Sequence, residues 1–236
     1  MRILIISDVH ANPWALHAAA RDAGPIDYIV SAGDTVSYGP DSRSTVAWLR
    51  ERGVLAARGN HDHAVAFGAD PKASSAKQPL ALAMPDWTRS QLEPADIGWL
   101  ARLPLHLTWE VGGVRFAVVH ATPRDPLYDY QLQPDASETV LDEITAEIHA
   151  DVLVVGHTHC PLLRRRGNLQ IVNPGSVGQP LDGDPRAAYA VWENGKIALR
   201  RAAYDPSAAL AAIGRLPIHP SLREALADTL RFGRLQ

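Results

Sequence analysis

Histidine, aspartate and asparagine side chains follow five short apolar segments of the sequence, at the point where each segment ends. In chain order these residues are Asp8 and His10, Asp34, Asn60 with His61 and Asp62, His120, and His157 with His159. Imidazole, carboxylate and amide groups are common protein ligands of divalent metal ions. If the segment ends meet in space, the side chains can form a metal centre.

Several of these motifs have a structural alternative when taken alone. Asp8 can cap a turn, and Gly-Asp at Asp34 is common turn chemistry. His120 by itself is more typical of a buried, hydrogen-bonded core histidine. His157 and His159 favour metal binding, because two imidazoles around one small residue after a buried strand are costly unless they bind something. The recurrence of such motifs at five segment ends favours a shared site.

The apolar segments are rich in Val and Ile, which predicts buried strands. They span Arg2 to Ile6, Tyr28 to Ser31, Val54 to Ala57, Val114 to Val119 and Val152 to Val155. Helices are predicted between the early strands, from Trp14 to Arg21 after an Asn12 cap and from a Ser42 cap to Arg50. The carboxyl ends of strands in an open α/β sheet share one crevice, and alternation along an extended chain places residues two apart on one face.

The rest of the chain predicts a helical insertion at about 63–103 and three β-hairpins. The hairpin turns lie at Gly112-Gly113, Gly167-Asn168 and Asn194-Gly195. Ser137 can cap a helix over 138–149, and leucines spaced four apart predict a final helix packed on a sheet, within helices at about 206–232. We expect one domain over residues 1–236.

Composition restricts the class of protein. The chain has 236 residues, is 46% hydrophobic and 21% charged, and carries a formal charge of −3. Extended nucleic acid is not expected as a partner, since a basic excess is missing. One cysteine, Cys160, and an N-terminal apolar run too short for a signal peptide favour a cytoplasmic protein without a membrane partner. The hairpins and the final helix could support a homo-oligomer.

The motifs, taken in order, resemble those of the calcineurin-like metallophosphoesterase superfamily. They read DVH at 8–10, GD at 33–34, GNHD at 59–62, a lone His120 and GHTH at 156–159. Further stretches, SDVHAN at 7–12, GDTVSYGP at 33–40 and NPGSVG at 173–178, resemble its small prokaryotic phosphodiesterase-like branch. The resemblance implies an α/β (α+β) fold, a four-layer αββα sandwich of two mixed β-sheets flanked by helices. A dinuclear metal site would lie at the strand ends.

The resemblance also implies roles for individual residues. Asp8, His10 and His159 would bind one ion, Asn60, His120 and His157 the second, and Asp34 both. The expected ions are two divalent metals, with Mn ahead of Fe, Zn, Ni, Co and Mg. Two close cations need an anionic bridge such as a carboxylate. The expected activity is hydrolysis of a small phosphodiester or nucleotide by attack of a metal-bound hydroxide on phosphorus.

Substrate and catalytic residues are less specific in the sequence. His61 and Asp62 are the catalytic candidates, with Asp62 alternatively orienting the adjacent turn. Asn60, His61 and Arg124 are candidates for substrate binding; Arg124 can grip two phosphate oxygens or form an ion pair with a neighbour. Tyr38 and Tyr128 could stack on a nucleobase or cover the sheet rim.

Three alternative functions stay open at this point. Some relatives in the branch cleave diadenosine polyphosphates, which makes such a hydrolase an enzymatic alternative. A protein phosphatase is less favoured, because enzymes of that kind carry arginine after the Gly-Asp motif, where this chain has Thr35. A non-enzymatic scaffold with the same fold would not need the complete ligand set.

Overall fold

The computed structural model describes residues 1–235, which form ten strands and nine helices. The strands are β1 (Arg2–Ile6), β2 (Tyr28–Ser31), β3 (Leu55–Ala56), β4 (Leu107–Val111), β5 (Val114–Val118), β6 (Val152–Val154), β7 (Leu162–Arg166), β8 (Leu169–Asn173), β9 (Ala187–Glu193) and β10 (Lys196–Ala202). The helices are α1 (Pro13–Ala23), α2 (Ser42–Glu51), α3 (Asn60–Phe67), α4 (Gln78–Ala83), α5 (Pro85–Ser90), α6 (Pro94–Arg102), α7 (Glu138–Thr145), α8 (Ser207–Ile213) and α9 (Pro220–Phe232).

The strands form two mixed sheets of five. The first has the order β10-β9-β1-β2-β3, in which β1, β2 and β3 are parallel. The second has the order β4-β5-β6-β8-β7, in which β5, β6 and β8 are parallel. Helices α1 and α2 pack on the outer face of the first sheet, and α7 packs on the outer face of the second. The predicted sandwich of two mixed sheets flanked by helices is confirmed.

Both faces of β1 are buried, which explains its continuous apolar run. Ile3 and Ile5 pack between the sheets against residues such as Phe116 of β5. Leu4 and Ile6 point the other way and pack with helix α1. The same strand therefore supplies two cores before the chain turns polar at Ser7.

Three local predictions were wrong in detail. Asp41, and not Ser42, caps α2, since its carboxylate accepts a hydrogen bond from the Ser44 amide at 2.9 Å. Helix α7 ends at Thr145, because the chain must then turn to enter β6. Helix α9 packs with α8 and α4 instead of on a sheet, since its leucines meet the apolar residues of those helices.

Helices α3 to α6 form the predicted helical region between the third and fourth strands. Helix α3 begins directly in the polar motif that follows β3, so its first turn lies at the rim of the sandwich. Among residues 1–235, no helix combines the length and apolar composition needed to cross a lipid bilayer.

Candidate metal centre

The strand ends converge at one rim of the sandwich, and backbone hydrogen bonds join the loops that follow them. The amide of His10 donates to the carbonyl of Asp34 at 3.0 Å, which joins the loops after β1 and β2. The amide of Gly156 donates to the carbonyl of His120 at 2.7 Å, which joins the loops after β6 and β5. The seven predicted metal ligands are all buried there, and none is more than 3% exposed.

Five of these residues have backbone conformations that residues other than glycine rarely adopt. The φ angles of Asp8, His10, Asp34, His157 and His159 lie between +44° and +68°. Such angles are strained for residues other than glycine and occur often at functional sites. The prediction that extended chain brings Asp8 and His10, or His157 and His159, onto one face was therefore wrong in its geometry, since these residues converge through left-handed loops.

Two glycines allow the loops to approach one another closely. A Cβ atom at Gly59 would overlap the carboxylate of Asp34, and one at Gly156 would overlap the hydroxyl of Ser7. Glycine removes these obstacles because it has no side chain. The glycines in the GNHD and GHTH motifs thus permit the tight packing of the rim.

One group of ligand atoms comprises Asp8, His10 and His159, whose side-chain atoms lie within 4.8 Å of one another. The two imidazole Nε2 atoms are 3.1 Å apart, and Asp8 Oδ1 lies 3.4 Å from His159 Nε2. The three residues come from the loops after β1 and β6. Their separations are short enough for one ion to contact all three side chains.

A second group is centred on His120. Its Nε2 atom lies 2.9 Å from Asn60 Oδ1, 3.0 Å from His157 Nδ1 and 3.4 Å from Asp34 Oδ2. Asp8, Asp34 and His120 also lie within 4.8 Å of one another. The Asp34 Oδ2 atom is 3.6 Å from His10 Nε2, so this one carboxylate oxygen faces both groups.

Backbone carbonyls orient three of the imidazoles. The Nδ1 atoms of His10, His120 and His159 lie 3.1, 2.9 and 2.5 Å from the carbonyl oxygens of Val36, Ala32 and Gln179. A proton on Nδ1 satisfies each carbonyl and leaves the Nε2 lone pair free for a cation. The carbonyls therefore orient the three rings with Nε2 facing the other ligands.

The donor set fits divalent cations. Asp8 Oδ1 is buried and accepts no hydrogen bond among the described residues, although it lies beside two imidazoles. Burial raises the pKa of Asp8 to about 6, and the nearby Asp34 carboxylate acts in the same direction. Two buried carboxylates surrounded by imidazole lone pairs need positive charge, which bound cations supply. Cys160 belongs to neither group of ligand atoms in residues 1–235.

The two catalytic candidates differ in their contacts. The His61 ring lies beside the ring of His10, with centroids 5.2 Å apart, and its Nδ1 atom has no hydrogen-bond partner in residues 1–235. Burial lowers the pKa of His61 to about 4 despite the nearby Asp34 carboxylate. The Asp62 carboxylate instead accepts hydrogen bonds from the amides of Thr35, Val36 and Gly59. Asp62 thus orients the loop that carries Asp34.

The substrate-binding candidates lie in different surroundings. The Arg124 side chain is 57% exposed and forms an ion pair with Glu143 at 3.4 Å. An ion pair was one of the two roles that the sequence allowed for Arg124. Tyr38 is buried between the rings of His10 and His61, so it is not free to stack on a base. The Arg124 role stays a prediction.

Two residues that the motifs did not indicate also contact the centre. The Lys77 Nζ atom lies 3.4 Å from His159 Nε2, and the Tyr130 ring lies 3.9 Å from the His157 ring. Both residues lie in loops, where position in the sequence does not indicate which side chain turns inward. Lysine is scarce in this chain, but its scarcity does not distinguish Lys77 from the other lysines and does not indicate Tyr130.

Comparisons with known proteins identify the same family as the motifs. The family model described as "Calcineurin-like phosphoesterase superfamily domain" matches residues 1–195. A crystal structure of a metallophosphoesterase from Sphaerobacter thermophilus superposes with a TM-score of 0.81 at 33% identity, covering 96% of this chain and 98% of that one. Protein MJ0912 of Methanocaldococcus jannaschii, described as uncharacterized, is 31% identical, over 98% of both chains.

Two bacterial relatives carry names that state an activity. Serine/threonine-protein phosphatase 1 of Salmonella typhimurium is 29% identical, over 74% of this chain and 87% of that protein. Phosphodiesterase YfcE of Escherichia coli is 50% identical over 44 residues, which cover 19% of this chain and 23% of that protein. The relatives therefore include both phosphatases and phosphodiesterases.

Proposed function

Since the chain belongs to the calcineurin-like phosphoesterase superfamily and is a metal-dependent phosphoric ester hydrolase, we propose that it hydrolyses a small phosphodiester or nucleotide using two divalent ions. One observation carries the proposal: a buried carboxylate oxygen of Asp34 lies within 3.6 Å of imidazole nitrogens from both groups of ligands. A shared carboxylate supplies the negative charge that two neighbouring cations need. Manganese is the ion we expect first.

Each ligand has a proposed place. Asp8, His10 and His159 would hold one ion, Asn60, His120 and His157 the other, and Asp34 would contact both. Two ions at such a site supply a water molecule of lowered pKa and neutralise the phosphoryl oxygens during in-line displacement. Mixed imidazole and oxygen ligands suit Mn as well as Fe, Zn, Ni and Co.

The remaining polar residues would act on substrate. His61 keeps an unpartnered ring nitrogen, Nδ1, beside the ligands, where it can exchange a proton or hydrogen bond with a phosphate ester oxygen. Asp62 positions the Asp34 loop through its three backbone hydrogen bonds. Arg124 would reach a substrate only by leaving its exposed partner Glu143, an interaction weak enough to exchange.

The test uses protein stripped of metal and then supplied with Mn. Candidate substrates are bis-p-nitrophenyl phosphate, cyclic nucleotides, diadenosine tetraphosphate and a phosphopeptide, each also assayed with His61→Ala. We expect Mn-dependent turnover of a small ester or nucleotide that falls sharply in the variant. Absence of turnover in protein that binds two Mn ions per chain would contradict the proposal.

A protein phosphatase is the second candidate, favoured by the similarity to the Salmonella phosphatase over 74% of this chain. Thr35 after the Gly-Asp motif and the burial of the ligands favour a small substrate instead. Preference for the phosphopeptide would reverse this choice, and preference for diadenosine tetraphosphate would select the polyphosphate hydrolase.

The proposed partner is accordingly a small phosphorylated molecule. A formal charge of −3 disfavours extended nucleic acid. One cysteine in the chain is typical of a reducing compartment, so we propose the cytoplasm as its location.

A further inference from the structure

The loop between α3 and α4, residues 68–77, contacts both groups of ligands; we call it the strap. At one end, the Pro71 carbonyl accepts a hydrogen bond of 2.7 Å from the Asn60 side-chain amide. At the other end, Lys77 Nζ lies 3.4 Å from His159 Nε2. The strap therefore places one cationic side chain beside the centre.

The Lys77 ammonium has no carboxylate within 4 Å among residues 1–235, although it is partly buried. Its one hydrogen-bonding neighbour there is His159 Nε2, the atom that the proposed function assigns to a metal ion. A nitrogen that binds metal cannot also accept from an ammonium. A partly buried cation without an acceptor is costly, and an anionic oxygen of a ligand would relieve that cost.

A second donor without a partner lies close by. Tyr38 is 1% exposed, its ring lies against the rings of His10 and His61, and its hydroxyl has no hydrogen-bond partner in the described chain. The Lys77 Nζ atom is 6.0 Å from the centre of the Tyr38 ring. Buried hydroxyl groups normally form hydrogen bonds, so this hydroxyl is available to an acceptor.

We propose that Lys77 binds the substrate phosphate held at the metal centre, with the Tyr38 hydroxyl as a second donor. A cation gains more from a phosphate with two negative charges than from a diester with one. The site therefore favours nucleotides and other small esters that end in a phosphate monoester. This inference rests on the proposed function and specifies its substrate class.

The strap offers a matched control. Lys72 has the same side chain in the same loop, but it is exposed and its Nζ atom lies over the Tyr128 ring at 4.6 Å. Lys72→Met removes a positive charge from the strap without touching the ligands. Lys77→Met removes the charge beside them, and Lys77→Arg restores it.

The first measurement is the affinity of Mn-loaded protein for inorganic phosphate, by calorimetry. Loss of a hydrogen bond from a charged donor is expected to weaken phosphate binding in Lys77→Met about 10- to 100-fold. Lys72→Met should bind phosphate as the wild type does, and Lys77→Arg should recover most of the affinity. Tyr38→Phe should weaken binding by a factor of about 2 to 10. The affinity for Mn should not fall in Lys77→Met.

The second measurement compares p-nitrophenyl phosphate with bis-p-nitrophenyl phosphate. The rise in KM caused by Lys77→Met should be several times larger for the doubly charged monoester. Equal phosphate affinities in Lys77→Met and Lys72→Met would overturn the inference, as would a loss of Mn binding with equal effects on both esters. If the wild type turned over neither of these esters and none of the other candidate substrates, the proposed function would fail, while phosphate affinity would still decide the role of Lys77.

Discussion

The space between the two sheets and the rim at their strand ends are built from the same segments, yet they differ in what holds them together. Ile3 and Ile5 of β1 pack in the apolar layer with Phe116, where burial itself is favourable. Only a few residues later, Asp8 and His10 are buried with polar neighbours and strained backbone. Apolar packing therefore provides the stability, and part of that stability is used at the rim to hold groups that need cations.

The largest effect should come from Asp34→Asn, which removes the charge shared by both groups of ligands. Mutation of a residue that only hydrogen-bonds to a metal ligand typically lowers metal affinity or activity roughly 10- to 100-fold. Because Asp34 is itself a proposed ligand, we expect a larger loss of Mn affinity and of turnover. The metal-free variant should also unfold at a lower temperature than wild type, because, despite burial, the nearby imidazoles, with His120 first among them, hold the pKa of the Asp34 carboxyl well below its usual range, so the folded state favours its charge. Calorimetry with Mn, steady-state kinetics and thermal unfolding check these points.

The exposed Asp135→Asn provides the control for Asp34→Asn, and it should change nothing. Full activity and Mn binding in Asp34→Asn would contradict the metal centre. A scaffold protein would be recognised by a partner that binds the wild type and Asp34→Asn equally.

In the apolar layer between the two sheets, Phe116→Ala should lower stability without loss of Mn binding. Phe116 is fully buried and contacts Trp192, with ring centroids 5.7 Å apart. Truncation should lower the free energy of unfolding by about 3–5 kcal/mol, while the folded fraction keeps its affinity for Mn. Denaturant unfolding checks this, with Phe232→Ala, 43% exposed, as the control of equal size. An equal loss of stability in both variants would show that the apolar layer is not the stabilising region.

Removal of metal from the wild type should act on the rim alone. An ion that binds only the folded state stabilises it by about 2.7 kcal/mol at a concentration a hundred times its dissociation constant. Chelation should therefore lower the free energy of unfolding of wild type and of Phe116→Ala by a similar amount. It should have no effect on Asp34→Asn. A decrease in Asp34→Asn as well would place the stabilising ion elsewhere.

The smallest effect should come from Asp62→Asn. One of its carboxylate oxygens becomes an amide nitrogen, which cannot accept the hydrogen bond of an amide, so one buried donor loses its partner. We expect a loss of about 1–3 kcal/mol in the free energy of unfolding and weaker Mn binding. If Asp62 acted as a catalytic acid instead, turnover would fall with Mn affinity unchanged, and titration with Mn separates the two cases.

Much of the fold follows from local pattern. The strand predicted from Arg2 to Ile6 is β1 as observed. A continuous apolar run of this length is typical of a strand that is buried on both faces. Asn12 caps α1 as expected, since its side chain accepts from the Ala15 amide at 3.1 Å. The final helix shows the limit of such reasoning. The spacing of Leu226 and Leu230 predicts an apolar face on this helix. It does not predict that helices α8 and α4, instead of a sheet, cover that face.

Residue type, spacing and apolar runs are local properties, so they were enough to indicate which residues can bind metal and that these residues follow strands. The family resemblance implied that His157 and His159 belong to different groups of ligands, but the contacts that separate these two residues appear in the tertiary structure. The tertiary structure also placed Lys77 beside His159 across 82 positions of sequence. Such contacts depend on left-handed turns and on packing between distant loops, and neither is encoded in the spacing of residues along the chain.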